Sequence, residues 1–450
     1  MSPKNKDVDS QLREQFRIDL VRANSQNVVL NPEILSHALD GSYEGPVKIA
    51  GPLRRLLVWM IPLALSVFIV GPAAGLLVGL QIYDIDPATK VEDLAIVSSV
   101  GAIVALIGQP LGGLLSDRTR SRFGRRIPWI FCASIFGLIA LAVMGLQTSL
   151  TGILIFWAIA QLGLTVGNGP ISAILPDRVP RMARATFSSV LAFGALAGQI
   201  FGAVYGASLK NHIVLAYIIL AIVILVIIVL FCIFNPDEPS VNMTVRPIRW
   251  SDVLGSFWVN PIAYPDFFWM FTGRLLINTG FATVTGYALY LLSDYVGLGR
   301  DRAADFVPVL SVAGAPFAII GLIIAGPLSD KFRRRKPFVF IGSALIAVAM
   351  FIPLFSPTVP AFIAMTAIGA LGFGIYGPVD VALVTELLPS KNSFAKDLGI
   401  VNIASSLPNL IAPIVAGVII SLSGYATIFP VASGLAIAGA FCVAFIRTAR

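Results

Sequence analysis

Charge is scarce in this chain of 450 residues. Lysine, arginine, aspartate and glutamate make up 12% of it and hydrophobic residues 57%. A soluble domain carries about 25% charged residues, so a soluble globular protein is excluded. Cysteine is nearly absent as well. Cys132, Cys232 and Cys442 each fall inside an apolar run without motif spacing. That excludes a disulfide framework or a metal centre and leaves them as small buried hydrophobes. There are two histidines, His37 and His212, both outside the apolar runs, so a histidine proton relay through a membrane is excluded. There is no glycine-rich phosphate loop, nucleophile triad or metal cluster in the sequence, so an enzymatic role finds no support and neither a metal nor a cofactor is expected. The net charge of +8 does not indicate nucleic acid. The cations sit in short loops beside apolar runs, where they orient a membrane chain.

What the chain does have is apolar length. Twelve stretches, at about 56–80, 93–116, 127–147, 150–176, 186–208, 213–234, 267–292, 306–328, 337–355, 359–387, 398–421 and 425–446, are each long enough for a helix to cross a bilayer, which needs roughly 20 residues. They must be helices, because lipid offers backbone groups no partner. Residues 1–52 are polar and read as a tail rather than a cleavable signal, since the first apolar run starts near Leu56. The longest internal polar gap, 235–266, divides the chain into a bundle over 53–234 and a second over 267–446, with 447–450 as the end. The expected fold is an all-α polytopic membrane protein of twelve helices in two six-helix bundles. If the tail is cytoplasmic, 27 lysines and arginines lie inside and four outside: Lys90, Lys210, Arg300 and Arg302. That asymmetry puts both termini in the cytoplasm.

One loop is written twice. Gly113-Leu114-Leu115-Ser116-Asp117-Arg118 leads into Arg120, Arg122, Gly124, Arg125, Arg126 and Pro128. Gly326-Pro327-Leu328-Ser329-Asp330-Lys331 leads into Arg333, Arg334, Arg335, Lys336 and Pro337. A second mark, Gly169-Pro170 and Gly377-Pro378, relates run four to run ten as the loop relates run two to run eight. Internal repeats of this kind are typical of secondary transporters.

Twelve helices in a six-plus-six repeat, with this loop after runs two and eight, resemble the major facilitator superfamily over residues 53–446. The longer string Ser116-Asp117-Arg118-Thr119-Arg120-Ser121-Arg122-Phe123-Gly124-Arg125-Arg126-Ile127-Pro128-Trp129 is similar to that of proton-coupled sucrose symporters and, more distantly, of the glycoside–pentoside–hexuronide cation symporters. The resemblance implies a cytoplasmic gate built from Gly113, Asp117, Arg118, Gly124, Arg125, Arg126, Asp330 and Lys331, a cavity lined by runs one, four, seven and ten, and a monomer. Sodium-using members of the second group carry aspartates within helix two. Run two here has no acid between its ends, which favours H+ over Na+ as coupling ion.

Charges inside spanning helices are costly and mark function. Arg274 in run seven lies roughly 10 Å from its cytoplasmic start, and Asp380 in run ten roughly 13 Å from its cytoplasmic exit, at 1.5 Å per residue. The matched depths predict that the two meet. A carboxylate beside an arginine holds its charge, and one stripped of that partner takes up a proton. The pair is therefore a proton-coupling device, a fixed ion pair between helices or a direct solute contact. Asp177 and Glu386, near the cytoplasmic ends of runs four and ten, are further proton-coupling candidates or gate groups. Candidate solute contacts are Gln161, Asn168, Asn278, Tyr287, Tyr290 and Tyr376, because sugar hydroxyls need amide and hydroxyl partners and an aromatic platform. Each could equally make an interhelical hydrogen bond. Gly194, Gly198 and Gly202, four apart, predict close helix packing.

The expected function is secondary active transport by alternating access, as proton-coupled symport of a neutral sugar such as sucrose or maltose. The alternative is a proton-driven exporter of drug-like or amphipathic compounds. The expected partners are the lipid bilayer and a small solute, with no nucleic acid. The expected location is a plasma membrane, most simply a bacterial inner membrane.

Overall fold

The computed structural model describes residues 51–180, 183–241, 243, 264–332, 335–387 and 394–446. The N-terminal tail, most of the linker and the last four residues lie outside them, as do some side chains within helices, Asp330 and Glu386 included.

The described chain is helical: α1 (Gly51–Ile85), α2 (Lys90–Arg118), α3 (Ile127–Met144), α4 (Leu150–Arg178), α5 (Arg184–Ser208), α6 (Ile213–Phe234), α7 (Pro265–Thr285, continued over 288–295), α8 (Gly299–Phe332), α9 (Lys336–Phe355), α10 (Val359–Leu387), α11 (Phe394–Ser423) and α12 (Ile428–Ala444). Eleven of these helices are long and apolar enough to cross a membrane by themselves, and α7 makes the twelfth when its two segments count as one span. Their outward faces carry large apolar side chains such as Ile107, Phe193 and Ile323, as a helix surrounded by lipid requires. Pro62 and Pro72 in α1, Pro110 in α2, Pro378 in α10, and Pro408 and Pro413 in α11 sit inside continuous helices. In a membrane bundle, neighbouring helices can satisfy the backbone groups that proline leaves free.

The packing repeats. Helix α1 packs on α5, α2 on α4, and α3 on α4 and α6. In the second half α7 packs on α11, α8 on α10, and α9 on α10 and α12. Glycine makes several of these approaches possible. A Cβ on Gly163 of α4 would stand 2.4 Å from the Gly137 nitrogen of α3, and one on Gly342 of α9 would stand 2.7 Å from the Gly372 oxygen of α10. The stripe read from the sequence lies where α5 meets α1: Cβ atoms on Gly194, Gly198 and Gly202 would run into Ala64, Phe68 and Ile69. Small residues let helix backbones close in this way.

Helix α7 departs from expectation. The sequence gives one unbroken run, yet the helix bends by 44° between Thr285 and Ala288 and continues as a π-helical turn over Leu291–Tyr295. Gly286 occupies the break, and π-helical turns are a recognised cause of such kinks. The two halves meet along α2–α11 and α5–α8. Among the described residues, the pairs Lys90–Asp294, Lys210–Asp305 and Arg300–Asp84 join them at the end opposite the two basic loops.

Candidate functional site

Two sets of residues are organised around the basic loop between α2 and α3. The first is an ion-pair network. Arg126, buried at 5% exposure, donates to Asp177 through Nε and Nη2 at 3.0 and 2.8 Å and to Ser116 Oγ at 2.6 Å. It also pairs with Asp117 at 2.7 Å. Arg125 reaches Asp177 at 2.8 Å and Asp117 at 3.8 Å. Asp177, from the end of α4, is thus joined to the basic loop between α2 and α3. Asp117 itself, half exposed, faces the arginines of its own loop. The approach of α4 to this region depends on Gly169, where a Cβ would sit 2.6 Å from the Gly113 nitrogen.

The second set joins the loop to the linker. Gly124 has φ of 86°, a left-handed conformation that a side chain disfavours. A Cβ there would also lie 2.2 Å from the Asp237 Cβ. Asp237 accepts the Arg126 backbone N–H at 3.0 Å and pairs with Arg178 at 2.8 Å. Ser240 Oγ accepts the Ser121 N–H and donates to the Thr119 carbonyl. Asp237 and Ser240 were legible in the sequence only as parts of a polar gap. Their one signal was the glycine at 124, which a bare basic loop does not need. Arg118 is half-buried and Lys331 exposed at the end of α8.

Deeper in the first bundle, a cavity of about 340 Å³ lies between α1, α3, α4 and α6. Its lining includes Ser66, Ser134, Trp157, Gln161, Thr165 and Asn168. Helix periodicity puts 157, 161 and 168 on one face of α4. Gly101 of α2 makes room for the indole: a Cβ there would stand 2.3 Å from Trp157 Nε1. Two sequence-selected amides, Gln161 and Asn168, are therefore brought to one cavity together with an aromatic ring that the sequence reading did not single out.

In the second bundle Arg274 of α7 and Asp380 of α10 do meet, at 3.0 Å. Asp380 is 5% exposed. Tyr376 lies one turn earlier on α10, buried and in the field of both charges. Asn278 donates to the Arg274 carbonyl one turn back on its own helix. Tyr287 and Tyr290 lie at the junction of the bundles. The Tyr287 hydroxyl is 3.2 Å from the carbonyls of Val91 and Pro413, and the Tyr290 hydroxyl donates to the Gly79 carbonyl at 2.9 Å. The polar candidates are thus split between the α4 cavity, the buried ion pair and the seam. Among the described residues, no group of three or more His, Cys, Asp or Glu is placed to hold a metal ion.

Comparison with known proteins bears on the whole chain. The general alpha-glucoside permease of Schizosaccharomyces pombe is 28% identical over 167 residues, which take in 37% of this chain and 30% of the permease. The chain thus spans less than a third of that relative's length. Among solved structures, the nucleoside transporter NupG superposes with a TM-score of 0.68 at 14% identity over 88% of this chain and all of its own. A D-xylose-proton symporter superposes with a TM-score of 0.65 at 17% identity over 87% of this chain and 96% of its own. These likenesses establish the fold. The model of the Major Facilitator Superfamily matches residues 56–323 and 303–450. With twelve long helices among the described residues, a repeated packing scheme and that match across nearly all of its apolar length, the chain belongs to the major facilitator superfamily and is a multi-pass membrane transporter rather than an enzyme.

Proposed function

We propose that this transporter is a proton-coupled symporter of a neutral sugar, with both termini and the basic loops on the cytoplasmic side. The observation that carries the reading is the α4 cavity, where Gln161 and Asn168 stand beside Trp157 and the hydroxyls of Ser66, Ser134 and Thr165. A neutral polyol needs both donors and acceptors, because each hydroxyl buried without a partner costs about 1–3 kcal/mol. An indole supplies the apolar platform for its C–H face. No charged side chain lines this cavity, which suits an uncharged solute. A relative named for alpha-glucosides and a fold neighbour named for D-xylose and protons support the same class, and maltose and sucrose, both alpha-glucosides, are the first sugars to try.

Coupling is assigned to Arg274 and Asp380. A buried ion pair is stable only while both partners are in place. A rearrangement of α7 against α10 that parts them leaves a carboxylate in an apolar setting, where the protonated form is favoured. Alternating access would then load a proton on one side and release it on the other. The ion carries one charge, worth about 2.3 kcal/mol per 100 mV.

The test is uptake of radiolabelled maltose and sucrose into proteoliposomes, with and without an inward proton gradient. Gradient-stimulated uptake that a protonophore abolishes is the expected result. No uptake of either by demonstrably folded protein would overturn the assignment to these disaccharides. Proton-driven extrusion of amphipathic dyes would move it to export.

A further inference from the structure

The positive-inside bias leaves four cations in the loops opposite the basic end, and three of them are spent in the same way. Lys90, at the start of α2, pairs with Asp294 of α7 at 2.8 Å. Lys210, after α5, pairs with Asp305 of α8 at 2.6 Å and donates to the Asp301 carbonyl at 2.8 Å. Arg300, at the start of α8, grips Asp84 of α1 through Nε and Nη2 at 2.6 and 2.5 Å. Every one of these contacts joins one bundle to the other. They run in both directions, two with the cation in the first bundle and one with it in the second.

The three are not equivalent. Asp84 and Asp305 are about half exposed, and such pairs contribute little and are screened by salt. Lys90 is 7% exposed. Its ammonium lies 3.9 Å from the centroid of the Tyr83 ring and 5.5 Å from that of Tyr290. Asp294 also accepts Ser293 Oγ at 2.7 Å and Tyr425 Oη at 2.5 Å. Asp294 is a quarter exposed and keeps some water, so it is the buried Lys90 that makes splitting this pair costly, because its ammonium is left without a partner in a weakly solvated site. Around it, Tyr290 donates to the Gly79 carbonyl and Ser421 to Glu92 Oε1. The acid and two of the tyrosines belong to the part of α7 that begins at the bend, so one short segment presents Tyr287, Tyr290 and Asp294 to the first bundle.

We infer that Lys90 and Asp294 form the central lock of a three-pair latch that seals the transporter at the end opposite its basic loops, with the bent outer segment of α7 as the moving part. Opening to that side separates all three pairs, and the cost of parting Lys90 from Asp294 sets the balance between the two access states. The inference uses the alternating-access part of the proposed function and is independent of the solute. It also accounts for most of the few cations on this side: three of the four hold the bundles together.

The test needs no substrate. Spin labels at Ala88→Cys and Thr358→Cys, exposed in loops of different bundles at this end, report the opening by pulsed electron resonance. The full chain is placed in lipid nanodiscs, with the three native cysteines replaced. Lys90→Gln is expected to raise the ratio of long to short distances by about tenfold or more. Lys90→Arg and the exchange Lys90→Asp with Asp294→Lys are expected to restore the short distance. Asp84→Asn, at an exposed pair, is expected to shift it by less than about threefold. High salt should act mainly on the exposed pairs, and so widen the opening more in Lys90→Gln than in the parent. An unchanged distance distribution in Lys90→Gln would overturn the lock. So would an equal shift from Asp84→Asn. If the exchange variant does not fold, Lys90→Arg against Lys90→Gln decides the question. Failure of sugar uptake leaves these distances unaffected, so the two readings fail separately.

Discussion

At the scale of single residues, the buried pair of Arg274 and Asp380 allows stability and coupling to be separated. Asp380→Asn keeps a hydrogen-bonding group of the same shape beside the guanidinium and removes the site for the proton. Uptake driven by a proton gradient is therefore expected to be lost, while exchange of labelled for unlabelled sugar at equal pH continues. Retained gradient-driven uptake would take the coupling role from Asp380. Arg274→Gln does something different, because it leaves a carboxylate 5% exposed without its partner. Breaking such a pair costs about 3–5 kcal/mol, whereas replacing both charges by apolar side chains of similar volume is often neutral. Thermal unfolding in detergent should thus fall much further for Arg274→Gln than for Arg274→Leu with Asp380→Leu. Equal losses would mean that the pair contributes packing and nothing electrostatic. Gly124 is a second residue of this kind. At φ of 86° against Asp237, Gly124→Ala adds a left-handed penalty of about 1–2 kcal/mol to a collision with the linker carboxylate. Its melting temperature should fall for both reasons, and an unchanged value would contradict the close approach.

At the scale of helices, α5 and α1 give a graded pair of substitutions. A Cβ on Gly202 would stand 2.5 Å from the Ile69 carbonyl oxygen, whereas one on Gly75 of α1 would meet nothing within 4 Å. Gly202→Val is expected to destabilise by at least the 1–3 kcal/mol typical of overpacking. Gly75→Ala is expected to stabilise by about 0.5–1 kcal/mol through reduced chain entropy. Circular dichroism melts of the two variants should move in opposite directions. The α5 stripe was legible because spacing by four on a helix needs no knowledge of the partner. The same is true of the twelve runs, which the bilayer forces into helices, and of the matched depths of Arg274 and Asp380, which follow from rise per residue alone. The bend in α7 was not legible. Gly286 sits in an apolar run like many other glycines here, and only the packing of 288–295 against the first bundle distinguishes it. Tyr287 and Tyr290 illustrate the same limit. Their hydroxyls suited a sugar, but which face of α7 turns to the solute and which to α1 and α2 depends on how the bundles dock. Lys90 and Asp294 are 204 positions apart, and no local pattern links them. Asp237 sat unnoticed in a polar gap for the same reason.

At the scale of the whole molecule, the two bundles, the lock and the buried pair make a quantitative statement about energy conversion. If Asp380 carries one proton inward per sugar and the sugar is neutral, one charge crosses in each cycle. A potential of 100 mV then supplies about 2.3 kcal/mol, and each 1.4 kcal/mol is a factor of ten in a concentration ratio. Proteoliposomes held at that potential, negative inside and with equal pH on both sides, should therefore accumulate sugar about 50-fold. The value is a thermodynamic ceiling set by stoichiometry, so weakening the latch should alter how fast it is approached and leave it in place. Lys90→Gln is expected to change the initial rate and to reach the same plateau, provided the bilayer stays sealed. Asp380→Asn is expected to equilibrate without accumulating. A plateau that fell in step with the rate in Lys90→Gln would mean that the lock takes part in coupling, because a slipping cycle lets the ion cross without the solute. A plateau well above 50-fold in the parent would require more than one proton per sugar, and a second titrating group would then have to join Asp380. Asp177, already held between Arg125 and Arg126, is the first to replace.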